Sequence, residues 1–271
     1  MIAQIGIISS QLDYDAINFC SAAGITDQTQ VLAIHYLAFQ LKKEGLWSKM
    51  YAVYPIVGGN STAHRYNLIN TANYLITFSG AITHSANGMV SNGTTGYGLT
   101  GFVPSAQLNT TDLVSLSFYS RTNVTNVGAP YMIGSFGNNT NAGICGLTIR
   151  ANNSTSVFGT DISGVTNRVA NNATLTNSSG FFAGSQNGSN IKLYRNGSDV
   201  TITQTAYSSQ NVSNLQIAIL TLNNTTLGGV TGFITPHQCA FAHIGQKLTD
   251  AENTTLYNIV QQYQTILGRQ V

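Results

Sequence analysis

The sequence predicts a mainly β protein: a two-sheet antiparallel sandwich with helices at the amino terminus and one helix at the carboxyl terminus. Three observations carry this. From about Tyr66 to Gly245, short alternating runs of apolar and polar residues are separated by Gly, Asn and Ser, the pattern of antiparallel strands joined by turns. Two segments before Gly45 and one after Thr249 repeat apolar residues at helical spacing instead. No repeat of about 20 to 50 residues runs through the chain, which sets aside solenoids and propellers.

Taken in order, Asp15 can cap a short helix through Cys20 that Gly24 stops. Asp27 with Gln30 resembles a capping box that opens a second helix, running to Glu44 and ending at Gly45. On it Val31, Ile34, Ala38 and Leu41 form one apolar face, and Leu32, Tyr36 and Phe39 another. A helix apolar on two sides is sandwiched between partners, either the rest of the chain or a second subunit. Val31, Ile34, Leu37 and Leu41 are therefore candidate oligomer-interface residues.

In the β region, Leu113 to Arg121, Ile144 to Arg150, Leu215 to Leu222 and Cys239 to Gly245 read as strands. Between Ile191 and Val200, Asn196-Gly197 separates two alternating runs and supplies the positive φ values of a type I′ hairpin turn. Asn138 to Gly143, Asn152 to Ser156 and Asn171 to Gly180 read as polar connections. Thr249-Asp-Ala-Glu252 is a capping box; Leu256, Ile259, Val260, Tyr263 and Leu267 follow at helical spacing until Gly268. The expected organisation is a helical entry or anchoring segment at 1–65, the sandwich at 66–247 and a closing helix at 248–271.

Composition narrows the function classes. Charged residues make up only 7% of the 271, against roughly 25% in an average soluble domain, so the surface is built from Asn, Ser, Thr, Gly and Gln. The net charge of +2 is spread along the chain rather than clustered, which argues against nucleic acid as a partner. Only two Glu (Glu44, Glu252) and seven Asp are available for acid–base work or a hard metal. Cys20, Cys145 and Cys239 have no metal-binding spacing and read as buried reduced thiols. No stretch is long and apolar enough to cross a bilayer, and no secretory signal is read at the start, so the chain is expected to be made in the cytoplasm. No metal or cofactor is expected.

Gly96-Tyr-Gly98-Leu-Thr-Gly101 matches G-x-G-x-x-G in form, yet Pro104 follows where a dinucleotide fold needs a helix; a strand edge with a glycine turn is the expected structure. There is no G-x-S-x-G elbow and no P-loop. The five histidines never fall at metal-ligand spacing on a helix. His64 and His84 flank a segment with Arg65 and Tyr66 and read either as surface contacts or as hydrogen-bonded structural groups. Trp47 reads as packing for the entry segment or as a stacking surface for a sugar. Trp47, His84, Tyr97 and Tyr131 are the candidate ligand contacts.

Three segments carry a resemblance. Lys192-Leu-Tyr-Arg-Asn-Gly-Ser-Asp199 resembles the recurring hairpin of concanavalin A-like jelly rolls, the laminin-G and lectin/glucanase superfamily. Ala240 to Gly245, followed by Leu248 to Glu252 and Leu256 to Val260, resembles the last core strand and closing helix of such domains in bacteriophage virion proteins. Gly45 to Met50, Tyr54 to Gly59 and His64 to Leu68 resemble the entry segment of those phage proteins. The resemblance implies a jelly roll carried on a virion, often oligomeric, in a superfamily whose members bind carbohydrate or serve as structural modules.

The paired carboxylates of the glucanase branch have no counterpart, since neither Glu lies in the β region and Glu252 is explained by capping. Nor do Asp112, Asp161 and Asp199 make a Ca²⁺-binding run. The expected function is thus a non-enzymatic phage structural protein displayed on the virion as head decoration, fibre or tail attachment component. Its expected partners are other virion proteins, copies of itself and host-surface glycans, without nucleic acid or membrane. The alternative is a carbohydrate-binding, lectin-like module.

Overall fold

The computed structural model describes residues 12–108, 114–125, 130–137, 144–150, 158–161, 170–172, 176–187, 190–202, 212–224 and 229–271. The polar connections at 138–143 and 152–156 lie outside them, as do Asp112 and the side chain of Asp161.

The first helix, α1 (Tyr14–Ala23), is capped by Asp13 rather than by Asp15: the Asp13 carboxylate accepts the N–H groups of Asp15 and Ala16, and Gly24 stops the helix at φ 66°. α2 (Gln28–Lys43) opens as expected, with Asp27 accepting the Gln30 N–H. A 3₁₀ turn (Trp47–Lys49) then leads into β1 (Met50–Tyr54), a strand inside the segment expected to be a helical entry.

There follow α3 (Ser61–His64), β2 (Thr77–Ser79), β3 (Ile82–Ser85), β4 (Gly88–Ser91), β5 (Tyr97–Leu99), α4 (Pro104–Gln107), β6 (Val114–Ser120), β7 (Tyr131–Phe136) and β8 (Ile144–Thr148). Next come β9 (Phe158–Asp161), β10 (Ala170–Asn172), β11 (Gly180–Asn187), β12 (Asn190–Arg195), β13 (Ser198–Asp199), β14 (Ala218–Ile219), β15 (Asn223–Asn224) and β16 (Cys239–Gln246). The closing helix is α5 (Asp250–Ile266). The G-x-G-x-x-G match falls on β5 and its flanks, and Pro104 opens the single turn of α4 where no helix was expected.

Two sheets stack as a sandwich. One runs β13-β12-β11-β6-β16-β4-β3, with β1 also paired to β16; the other runs β10-β9-β8-β7-β14-β5-β2, with β15 parallel to β7. Strand periodicity sorts the side chains. Leu116, Phe118, Phe182, Leu193 and Ile244 of the first sheet face inward, to the core they share with Ile133, Leu147 and Ile219 of the second. Their neighbours Tyr119, Phe181, Ala183 and Tyr194 point the other way, into a second core with the helices. The molecule therefore has three layers: helices, first sheet, second sheet.

That second core decides the fate of α2. Ile34, Leu37 and Leu41 are wholly buried, and Val31 packs partly buried beside them, among residues of α1, α5 and the first sheet. Within one chain, then, Ile34, Leu37 and Leu41 find their packing partners in α1, α5 and the first sheet, and of the four candidate interface positions only Val31 keeps partial exposure. Trp47 packs against the same core with the Lys42 Nζ 4.7 Å from its ring centroid.

The hairpin turn at Asn196-Gly197 has the expected positive φ values, 49° and 76°. The Asn196 Oδ1 also accepts the Phe181 N–H, fixing the turn to the next strand. Thr249 and Glu252 form the capping box of α5, and Glu252 also pairs with Lys49. All three cysteines are buried, and none is in a disulfide. Among the described residues, no helix is long and apolar enough to cross a membrane.

Candidate functional site

After β1 the chain makes a tight glycine turn before α3. Gly58 sits at φ 95°, and a Cβ there would lie 2.4 Å from the Ala63 Cβ, so only glycine lets the turn lie against the helix. Asn60 caps α3, its Oδ1 accepting the Ala63 N–H at 2.9 Å. At the other end, the Arg65 carbonyl accepts the Ile76 N–H at 2.9 Å and ties the exit of α3 to the entry of β2. Phe78 of β2 pairs with Gly98 of β5, where a Cβ would lie 2.5 Å from the Ile76 Cγ2 and 3.2 Å from the Phe78 ring.

Between α3 and β2 this arrangement leaves a cleft of about 240 Å³, lined by Ser61, Thr62, Arg65, Ile76, Thr77 and Phe78. Three hydroxyl-bearing residues, an arginine, an aromatic and an aliphatic residue thus border one small space. It falls below the roughly 300–1,000 Å³ of pockets for drug-sized ligands, so it suits one small polar unit. The Arg65 Nε is buried without a hydrogen-bond partner, and no carboxylate pairs with this guanidinium among the described residues.

A histidine pair backs the aromatic wall. The Phe78 ring stands edge-on to the His84 ring, centroids 4.7 Å apart, and the His84 Nδ1 lies 2.9 Å from the Nδ1 of His64. One Nδ1 must donate to the other, so at least one ring is neutral. Burial, with the charges of His84 and Arg269, pushes the His64 pKa down to about 3, and burial lowers that of His84. Both rings are then neutral at pH 7, and Arg65 is the one charged side chain lining the cleft.

Arg269 holds this region from behind. It is 2% exposed, and its guanidinium donates to the carbonyls of Pro55, Ile56, Ala86 and Ala240 and to the Gln264 Oε1. One side chain thus joins the carboxyl terminus, the segment entering α3, and the turn after His84.

The candidate ligand contacts do not form one site. His84 adjoins the cleft through Phe78, and Tyr97 lies on the neighbouring β5 with its backbone opposite Ser79. Tyr131 is on β7 against Phe233, ring centroids 5.9 Å apart, and Trp47 is in the helix layer. Arg65, Phe78, Ser61 and Thr62 were not singled out as contacts. The Asn60-Ser-Thr run carried a detectable signal, a helix cap, but Phe78 looks like any other strand aromatic in sequence.

Two other polar groupings offer less. His243 is hydrogen-bonded to Ser115 and Ser117, a serine–histidine contact in form, yet all three are wholly buried. A polar hollow of about 200 Å³ is lined by Asp15, Asn18 and Leu68 to Thr71, and its only charged group, Asp15, is already paired with Lys42. Among the described residues, no group of three or more His, Cys, Asp or Glu could hold a metal ion.

No family model matches the chain, and no curated protein matches its sequence. Solved structures do resemble it. Trypanosoma rangeli sialidase superposes with a TM-score of 0.53 at 10% identity, over 84% of this chain and 38% of the sialidase. The same enzyme in complex with sialic acid gives 0.51 at 11%, over 86% and 39%; a mutant of it displaying trans-sialidase activity gives 0.51 at 11%, over 85% and 39%. The chain therefore spans well under half the length of these proteins, and the likeness is one of fold. It corrects the expectation that the chain is not an enzyme to this extent: the sialidase structures whose fold it shares are those of an enzyme.

Proposed function

We propose that this chain is a carbohydrate-binding, lectin-like β-sandwich module whose site is the cleft between α3 and β2. The observation that carries the reading is the composition of that cleft: the Phe78 ring beside the hydroxyl-bearing Ser61, Thr62 and Thr77. Sugars present apolar C–H faces ringed by hydroxyls, so an aromatic face with convergent hydrogen-bonding groups is the matching surface. The fold shared with a sialidase solved in complex with sialic acid supports the same reading.

The setting we propose is the surface of a phage virion, with other virion proteins as neighbours and a host-surface glycan as ligand. Its support is the resemblance of the entry segment, the final strand and the closing helix to phage virion proteins.

Titration of the full chain against a glycan panel tests the binding. Millimolar affinity for at least one sugar is expected, lost in Phe78→Ala and kept in Tyr131→Ala. Absence of binding across the panel, or binding untouched by Phe78→Ala, overturns the reading. Mass spectrometry of purified particles tests the setting: the chain should be found on them, and its absence would contradict a virion role.

A further inference from the structure

Resting on the reading of the α3–β2 cleft as a sugar site, we infer that the sugar it takes carries a carboxylate, held by Arg65. The argument begins with the charge inventory. With nine acidic residues in the chain, carboxylates are scarce, and those described are largely committed: Asp13 and Asp15 to Lys42, Asp199 and Asp250 to Lys192, Glu252 to Lys49. Arg65 is left with none, and its guanidinium makes no hydrogen bond among the described residues, although its Nε is buried.

A buried donor without an acceptor is costly, and an unpaired guanidinium more so. Only Nε of this guanidinium is buried without a partner, so a planar carboxylate in the cleft would meet the two terminal nitrogens, forming two parallel charge-assisted hydrogen bonds and compensating the unpaired charge. The remaining lining fits the rest of the same molecule. Ser61, Thr62 and Thr77 can exchange hydrogen bonds with ring hydroxyls, and Phe78 can cover an apolar ring face.

The count of charge selects carboxylate over phosphate. Arg65 is the single cation lining the cleft, and the nearest titratable groups, His84 and His64, stand behind Phe78 and are bonded to each other. The other charge facing His64, on Arg269, is spent on four backbone carbonyls and Gln264. One positive charge matches a monoanion, whereas a phosphate dianion would bring a second, uncompensated charge into the cleft.

The test compares matched sugars on the full chain: methyl glucuronide against methyl glucoside, and the methyl glycoside of N-acetylneuraminic acid against its methyl ester. At least one acid should bind ten-fold or more tightly than its neutral partner, with an advantage that shrinks as salt rises. Arg65→Gln should erase that advantage, bringing each acid and its neutral partner to the same affinity. The wild-type comparison stands even if the variant fails to fold. Equal affinities for acid and neutral partner, both lost in Phe78→Ala, would overturn the carboxylate inference and leave the sugar site standing. No binding of any of the four would overturn the carboxylate inference, and the sugar site falls with it only if the whole glycan panel is silent. A methyl glucoside 6-sulfate that binds as tightly as the glucuronide would overturn the choice of carboxylate.

Discussion

The Nδ1 atoms of His64 and His84 lie 2.9 Å apart, and the His84 ring is in turn packed edge-on by Phe78. The cleft's aromatic wall therefore rests on a hydrogen bond between two histidines that sequence places twenty residues apart. Its strength depends on their protonation.

Acid should loosen this support and the fold with it. His64, His237 and His243 are buried as neutral rings, with pKa values pushed down to about 3 from 6.5, mainly by desolvation. The unfolded chain then binds more protons than the folded one between these values, so stability rises with pH in that window. It should be complete above about pH 6.5 and fall progressively toward pH 3. Urea midpoints at pH 7.5, 5.5 and 4.5 check this; His243→Gln should show a shallower decline, and midpoints independent of pH would contradict it.

Arg269→Met should destabilise the whole chain. Hydrogen bonds to a charged group contribute roughly 1.5–3 kcal/mol each, without simple additivity, and this substitution leaves carbonyls of Pro55, Ile56, Ala86 and Ala240 without that donor. A loss of about 3 kcal/mol or more is expected in denaturant unfolding. A loss below about 1 kcal/mol would show that water replaces the guanidinium.

Gly58→Ala separates the cleft from the core. The left-handed backbone alone costs roughly 1–2 kcal/mol with a side chain, and the new Cβ would press on Ala63 of α3. Sugar affinity should drop several-fold while the far side of the sandwich keeps its native spectrum. Unchanged affinity would mean that the position of α3 is irrelevant to binding.

Leu37→Ala tests the core role of α2. Leu37 is wholly buried within one chain, so truncation should cost about 2–5 kcal/mol. The unfolding midpoint should not depend on protein concentration, in the variant or the parent. A midpoint that rises with concentration would restore a subunit contact.

Much of the fold was legible because local chemistry and tertiary packing agree. Asn196-Gly197 and the Thr249/Glu252 box each specify their own geometry, and the alternation around Phe118 and Tyr119 becomes a face toward each core. β1 was not legible: Met50 to Tyr54 is nearly continuous apolar, since the strand is covered on both sides, and it lacks the period-two mark of a half-buried strand. The faces of α2 were visible, but what covered them was not, because α5 arrives from the other end of the chain. The site was the least legible part. Arg65 and Phe78 meet only through the pairing of Arg65 with Ile76, a contact that no local motif announces. His64 and His84 were both noticed, yet their hydrogen bond depends on β3 and α3 being brought together.

The most direct measurement is a residue-resolved NMR titration of the full chain with the tightest-binding sugar of the panel. Resonances of Ser61, Thr62, Arg65, Thr77 and Phe78 are expected to move together along one saturable curve, with His84 following through its ring contact. Shifts clustered instead around Tyr131 and Phe233, or no saturable shifts at all, would contradict a carbohydrate site between α3 and β2.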